Sequence, residues 1–151
     1  MAAGGFQANI RALSSRFGET SVKFAIQINS SPWGSEAGDT AYQFIRAALK
    51  LGHEIVRVFF YYEGAYNGLR RMTPPAGEDA PVRRWSALAA ECGVDLVICI
   101  SAAQRRGLLE GSEAARAGQG DDDLAQGFRI AGLGLWVDAC LKADRFLSFG
   151  G

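Results

Sequence analysis

Val94-Asp-Leu-Val-Ile-Cys-Ile100 is the stretch whose reading decides the fold. Apart from Asp95 it is apolar at every position, so both of its alternating faces are apolar. A strand of that kind is covered on both sides, which is the situation of an interior strand in a parallel sheet. Parallel neighbours need crossover connections, usually helices, so helical segments are expected on either side of it.

They are found upstream. Pro81 to Glu91 reads as a helix around Trp85, Leu88 and Ala89, ended by Gly93. Before it, a polar stretch with Pro74-Pro75 and a loop from Glu63 to Gly68 follow a second strand, Glu54-Ile-Val-Arg-Val-Phe-Phe-Tyr61, rich in β-branched and aromatic residues. Asp39 or Thr40 is placed to cap a helix running to Leu51, with Ala41, Phe44, Ile45, Ala48 and Leu49 at helical spacing. Gly52 then suits the left-handed position after a helix. Lys23-Phe-Ala-Ile-Gln-Ile-Asn29 reads as a buried strand with Phe24, Ile26 and Ile28 on one face, followed by loop residues Ser30 to Gly34.

The pattern continues downstream. Ser101 to Gly107 leaves the deciding strand, and Gly111 to Asp123 is polar and reads as a mobile segment whose acidic run, Asp121 to Asp123, is solvated. Phe128-Arg-Ile130 is a short edge strand. Gly132-Leu-Gly134 leads into a helix through Trp136, Val137, Cys140 and Leu141, and Arg145 to Phe149 closes the sheet. The alternation predicts a single three-layer α/β/α domain with a mainly parallel sheet of about five strands and right-handed crossovers. Sites on such sheets lie at the carboxyl ends of the strands.

At 151 residues the chain fits one domain with a real core. Lys+Arg and Asp+Glu are sixteen each, so no basic excess favours direct nucleic-acid binding. Three cysteines, Cys92, Cys99 and Cys140, with no CxxC and a lone histidine, His53, argue against a disulfide framework and a zinc site. No metal or organic cofactor is expected. No apolar run approaches the roughly 20 residues of a membrane helix, so a cytoplasmic protein with reduced thiols is expected. Met1 to Val22 differs from the rest, with small residues, Arg11, Arg16 and a single acid, Glu19. It lacks the apolar core of a secretory signal and has a faint transit-peptide composition. It is read as a disordered or loosely helical extension or a non-native start, with folded chemistry from residue 23 to 151.

Few residues carry reactive chemistry. Cys99 falls one residue before the expected strand end, followed by Ser101, Arg105, Arg106 and Gly107. A nucleophilic cysteine must be a thiolate, and free backbone N–H groups, a helix start and guanidinium groups all favour that anion. Cysteine is also among the most buried residue types, so residue type alone favours a core thiol. Cys92 reads as helix-end packing, Cys140 as core, His53 as a turn residue and Asp39 as a helix cap. Tyr61, Tyr62 and Tyr66 suit either an interface or a half-buried strand edge. Cys99 and Arg105 have the Cys-x5-Arg spacing of phosphatase and arsenate-reductase loops, but the five residues between them contain no glycine. A flavin site of the flavodoxin kind rests on fold alone, and Gly132-Leu-Gly134 lacks the third glycine of a dinucleotide fingerprint.

Several separated motifs resemble one family, the TusD/DsrE proteins. They are Lys23 to Asn29, Ala41-Tyr-Gln-Phe44, Gly52-His-Glu-Ile55, Arg57-Val-Phe-Phe-Tyr61, Cys99-Ile-Ser-Ala-Ala-Gln-Arg-Arg-Gly107, Gly132-Leu-Gly134, Ala143-Asp-Arg145 and Phe149-Gly150. The resemblance runs from Lys23 to Gly151, and members commonly begin just before the position of Lys23. It implies that Cys99 is the cysteine that accepts sulfur, which reverses the core-thiol reading. It further implies a sulfur-relay sulfurtransferase subunit that works with two homologous small subunits in a heterohexamer, a dimer of heterotrimers. A donor carrier protein would bring a persulfide to Cys99 and an acceptor protein would take it away, with no direct nucleic-acid or membrane contact. Gln27-Ile-Asn29, Thr73-Pro-Pro75 and Ala103-Gln-Arg-Arg106 look more DsrE-like, leaning toward sulfur oxidation over tRNA 2-thiouridine synthesis. A non-catalytic scaffold subunit is the alternative within the family, beside the Cys-x5-Arg phosphatase or reductase. Ser101, Arg105 and Arg106 are the expected supports of a persulfide anion.

Overall fold

The computed structural model describes residues 20–78, 80–118 and 122–150, so most of the extension read over Met1 to Val22 lies outside the described residues. Five strands form one sheet: β1 (Lys23–Ile28), β2 (Glu54–Phe60), β3 (Leu96–Cys99), β4 (Phe128–Ala131) and β5 (Arg145–Phe149). Their order is β4-β3-β2-β1-β5, and every neighbouring pair is parallel. The α/β expectation therefore holds. All four residues of β3 are buried, as a strand covered on both faces requires.

The helices divide between the two faces. On one side lie α1 (Ala37–Lys50) and α2 (Pro81–Cys92). Phe24 meets Phe44 of α1 edge-on at 5.2 Å, and Phe60 meets Trp85 of α2 edge-on at 5.3 Å. On the other side α5 (Gly134–Lys142) stacks Trp136 on Phe59 at 5.8 Å. Phe59 and Phe60 are adjacent, so the pleat sends their rings to opposite layers. Gly93 closes α2 with a left-handed backbone at φ 67° and donates its N–H to Ala89 O.

Five local expectations are corrected. β3 ends at Cys99 and not at Ile100, because Ile100 opens a short helix, α3 (Ile100–Gln104). The expected loop at residues 63–68 is a 3₁₀ helix, Tyr62–Gly68. Residues 111–116 of the expected mobile segment form α4 (Gly111–Arg116). Within the acidic run, Asp123 is buried, because its Oδ2 accepts the Leu109 N–H at 3.0 Å. Asp39 is likewise no cap. It lies in the first turn of α1, and its carboxylate accepts from Arg84 of α2.

The α5 face carries a charged network. Arg129 grips Asp95 with two bonds of 2.8 Å, and Arg57 reaches Asp95 at 2.6 Å, Leu135 O at 2.6 Å and Asp138 at 3.2 Å. Arg57 thereby fastens α5 to the sheet with charge-assisted bonds. Burial opposes the charge on Asp95, but the hydrogen bonds from Arg129 and Arg57 outweigh it and hold the carboxyl below the ordinary aspartate range.

Candidate functional site

Because all five strands are parallel, all five carboxyl ends meet at one edge of the sheet. The segments after β1, β2, β3, β4 and β5 gather there. Cys99 is the last residue of β3 and stands immediately before α3, with extended backbone at φ −60° and ψ 126°. It pairs with Ala131 of β4 and is 2% exposed. Val97 is level with Phe59, whose ring faces α5, so Cys99, two residues on, belongs to the same face.

The expected supports sit on the segment that leaves Cys99. Ser101 is exposed in the first turn of α3. Arg105 is exposed at its end, where its N–H donates to Ser101 O at 3.2 Å. Arg106 is mostly buried and its guanidinium is already engaged. It donates to Ala102 O at 3.1 Å and to Glu63 Oε1 at 2.5 Å, and lies 5.9 Å from the centre of the Tyr66 ring. Arg106 thus binds the segment after β3 to the 3₁₀ helix after β2.

Three neighbours that help shape this edge were not singled out as site residues from the sequence. Glu63 anchors Arg106. Gly64 approaches β1 so closely that an added Cβ would lie 2.0 Å from Ile28 O. Asn67 is 1% exposed and fully bonded: it donates to Ser30 O at 3.1 Å and Gly64 O at 3.0 Å and accepts from the Trp85 indole at 3.2 Å. One amide therefore joins the loop after β1, the 3₁₀ helix and α2. In sequence, Asn67 reads only as a loop residue, and the hydrophobic spacing of Trp85 is the sole hint that a buried polar partner is needed.

The other cysteines lie elsewhere. Cys92 is exposed at the end of α2, so the packing role read for it is corrected. Cys140 is half-buried in α5, and burial pushes its thiol up. His53 is a turn residue whose Nδ1 accepts the Val22 N–H at 3.4 Å. Among the described residues, no group of three or more His, Cys, Asp or Glu is placed to hold a metal, and no helix is long and apolar enough to cross a membrane.

Residues 22–149 match the model of the DsrE/DsrF-like family. The chain belongs to the DsrE/DsrF-like family. This DsrE/DsrF-like chain is 48% identical, over 129 residues, to the DsrE protein of Allochromatium vinosum, which is named for a sulfurtransferase activity; the match covers 85% of this chain and 99% of that one. The crystal structure of the YchN protein from E. coli has the same fold, with a TM-score of 0.67 at 23% identity, covering 85% of this chain and 99% of that one. The DsrE/DsrF-like match spans all five strands and so includes Cys99 and the edge on which it lies.

Proposed function

We propose that this chain is a sulfurtransferase subunit of a sulfur relay, accepting sulfur as a persulfide on Cys99 and passing it on. The carrying observation is the position of Cys99 at the carboxyl end of β3, on the ligand edge of a parallel sheet, in a chain similar along most of its length to a protein named for this activity. In the transfer, the Cys99 thiolate attacks the outer sulfur of a donor cysteine persulfide. A new S–S bond forms to Cys99, the donor's S–S bond breaks, and the donor cysteine leaves as a thiolate. The sulfur moves with no net oxidation or reduction, and the proton lost by Cys99 is balanced by the one the departing donor takes up. A second cysteine then removes the outer sulfur from Cys99 by the same exchange. Ser101 and Arg105, both exposed on the segment that follows Cys99, are proposed to favour the persulfide anion, and Arg106 to hold the shape of that segment.

The domain responsible is proposed to run from residue 23 to 151, in the cytoplasm, with two homologous small subunits in a dimer of heterotrimers. An exposed apolar stripe supports subunit contact: Leu133, just before α5, and Val137 and Leu141 within it recur at helical spacing and are 50%, 52% and 83% exposed. Sulfur oxidation is proposed over tRNA thiolation as the pathway, on the DsrE-like side of the resemblance, with which the name of the DsrE relative agrees. The phosphatase reading is disfavoured by local structure. Ile100–Gln104 is helical, and a helix does not wrap its N–H groups around a phosphate as an open loop does.

The test is intact-mass spectrometry after incubation with a persulfide donor, beside Cys99→Ser. A gain of about 32 Da, one sulfur atom, removed by reductant and lost in the variant, is expected. No gain in a folded, partner-complete complex would leave the scaffold reading.

A further inference from the structure

Among the described residues, Tyr62 is the one non-glycine with a left-handed backbone, at φ 45°. For a bulky residue that is an outlier, and it persists only where the surroundings enforce it. The enforcement is visible. The Tyr61 N–H donates to Ile28 O at 2.9 Å, and the Gly64 N–H donates to Asn29 O at 3.0 Å and to Tyr61 O at 2.8 Å. Gly64 must seat itself against Ile28 O, where no Cβ fits, so the chain turns sharply at residue 62. That backbone asks for glycine, which the chain supplies at comparable turns such as Gly52 and Gly93.

Tyrosine stands there instead, and burial does not account for it, because the residue is 54% exposed. Its ring lies 4.2 Å from that of Tyr61, which lies 6.4 Å from that of Phe59, which stacks on Trp136. Phe60, the last residue of β2, pairs with Ile98, and Tyr61 and Cys99 are the next residues on these two neighbouring strands' paths. The exposed ring of Tyr62 therefore ends an aromatic row on the sheet face that holds the thiol.

We propose that Tyr62 is a recognition residue of the Cys99 site, whose ring contacts the protein that brings a cysteine persulfide to Cys99. This rests on the persulfide reading above. A small persulfide needs only the sulfur, whereas a protein needs surface around a nearly buried thiol to bring its own cysteine within bonding distance. Tyrosine supplies large, rigid contact area at low entropic cost, which is why it is enriched at protein interfaces. The zero net charge gives no electrostatic footprint for a nucleic acid.

The experiment compares two donors on the full chain, co-expressed with its partner subunits. One is a rhodanese-domain protein loaded with persulfide from thiosulfate; the other is free cysteine persulfide. In Tyr62→Gly, the ratio of protein-donor to small-donor efficiency is expected to fall about tenfold, while the melting temperature holds or rises as strain is relieved. Tyr62→Phe, which keeps the ring, is expected to restore the ratio. An unchanged ratio in Tyr62→Gly would overturn the proposal. So would a wild type that takes sulfur no faster from the protein than from the small donor, or a variant that loses both equally. Failure of both donors to load wild-type Cys99 would instead sink the persulfide reading itself.

Discussion

Arg106 donates to Glu63 Oε1 at 2.5 Å, and this one contact joins the segments that leave β2 and β3 at the edge where Cys99 lies. The Arg106 side chain is 15% exposed and that of Glu63 55%, so the two partners are unequal. Removing Glu63 leaves a mostly buried guanidinium with Ala102 O and the Tyr66 ring as its remaining contacts. Glu63→Gln is expected to cost about 0.5–1 kcal/mol and Arg106→Ala about 1–2 kcal/mol in urea denaturation, the latter also losing packing. Sulfur loading should fall several-fold in both. Stability losses without any loss of loading would make the tie purely structural.

Asn67 offers a sharper case. Asn67→Leu would strip partners from Ser30 O, Gly64 O and the Trp85 indole at once. Buried groups left unbonded cost far more than the bonds are worth net, so a loss of about 2–4 kcal/mol is expected. A thermal melt within error of wild type would show that water replaces the amide.

The Asp95 network sets an acid limit. Its carboxyl titrates lower when folded than when unfolded, so at acidic pH the unfolded chain binds more protons and stability rises with pH. The contribution is complete above the unfolded value of about 3.9 and is lost as the pH falls through the lower folded value. Asp138 is shifted the same way by hydrogen bonds from Lys142 and Arg57. Asp95→Asn should therefore be less stable at pH 7 and show a shallower fall between about pH 5 and pH 2. Urea midpoints measured across that range would check it, and parallel curves for the two proteins would refute it.

The three thiols should react in a fixed order. Cys92 is exposed, Cys140 is half-buried with its thiol pushed up by burial, and Cys99 is buried. Iodoacetamide at pH 8 should label Cys92 first, at least about tenfold faster than Cys99 in the isolated chain. Cys92→Ala and Cys140→Ala should leave sulfur loading largely intact. Peptide mapping of the labelled protein gives the order. Rapid labelling of Cys99 would mean that the edge opens without a partner.

The frame was legible in the residues because local pattern and burial agree there. Val94 to Ile100 reads as an interior strand because its apolar side chains have nowhere else to go, and Pro81 and Gly93 bracket α2 with backbone preferences alone. What escaped depends on contacts distant in the chain. Asp39 reads as a cap until Arg84, 45 residues away, is seen to take its carboxylate. Asp123 looks solvated until Leu109 binds it. At the site, Cys99 was singled out through family resemblance, since residue type alone favours a core thiol. The strain at Tyr62 has no sequence signature, because tyrosine is the wrong residue for the turn it makes.

The alternation of β3 carries a historical consequence. Cys99 ends a strand whose side chains alternate strictly between layers, so inserting or deleting one residue within Leu96–Cys99 would send the sulfur through to the side of α1 and α2. Point substitutions can drift through this strand over generations, but a change of length cannot. The loops at the same edge face no such parity. Lineages descended from a common ancestor are therefore free to lengthen or trim those loops, while the spacing that aims the thiol stays fixed.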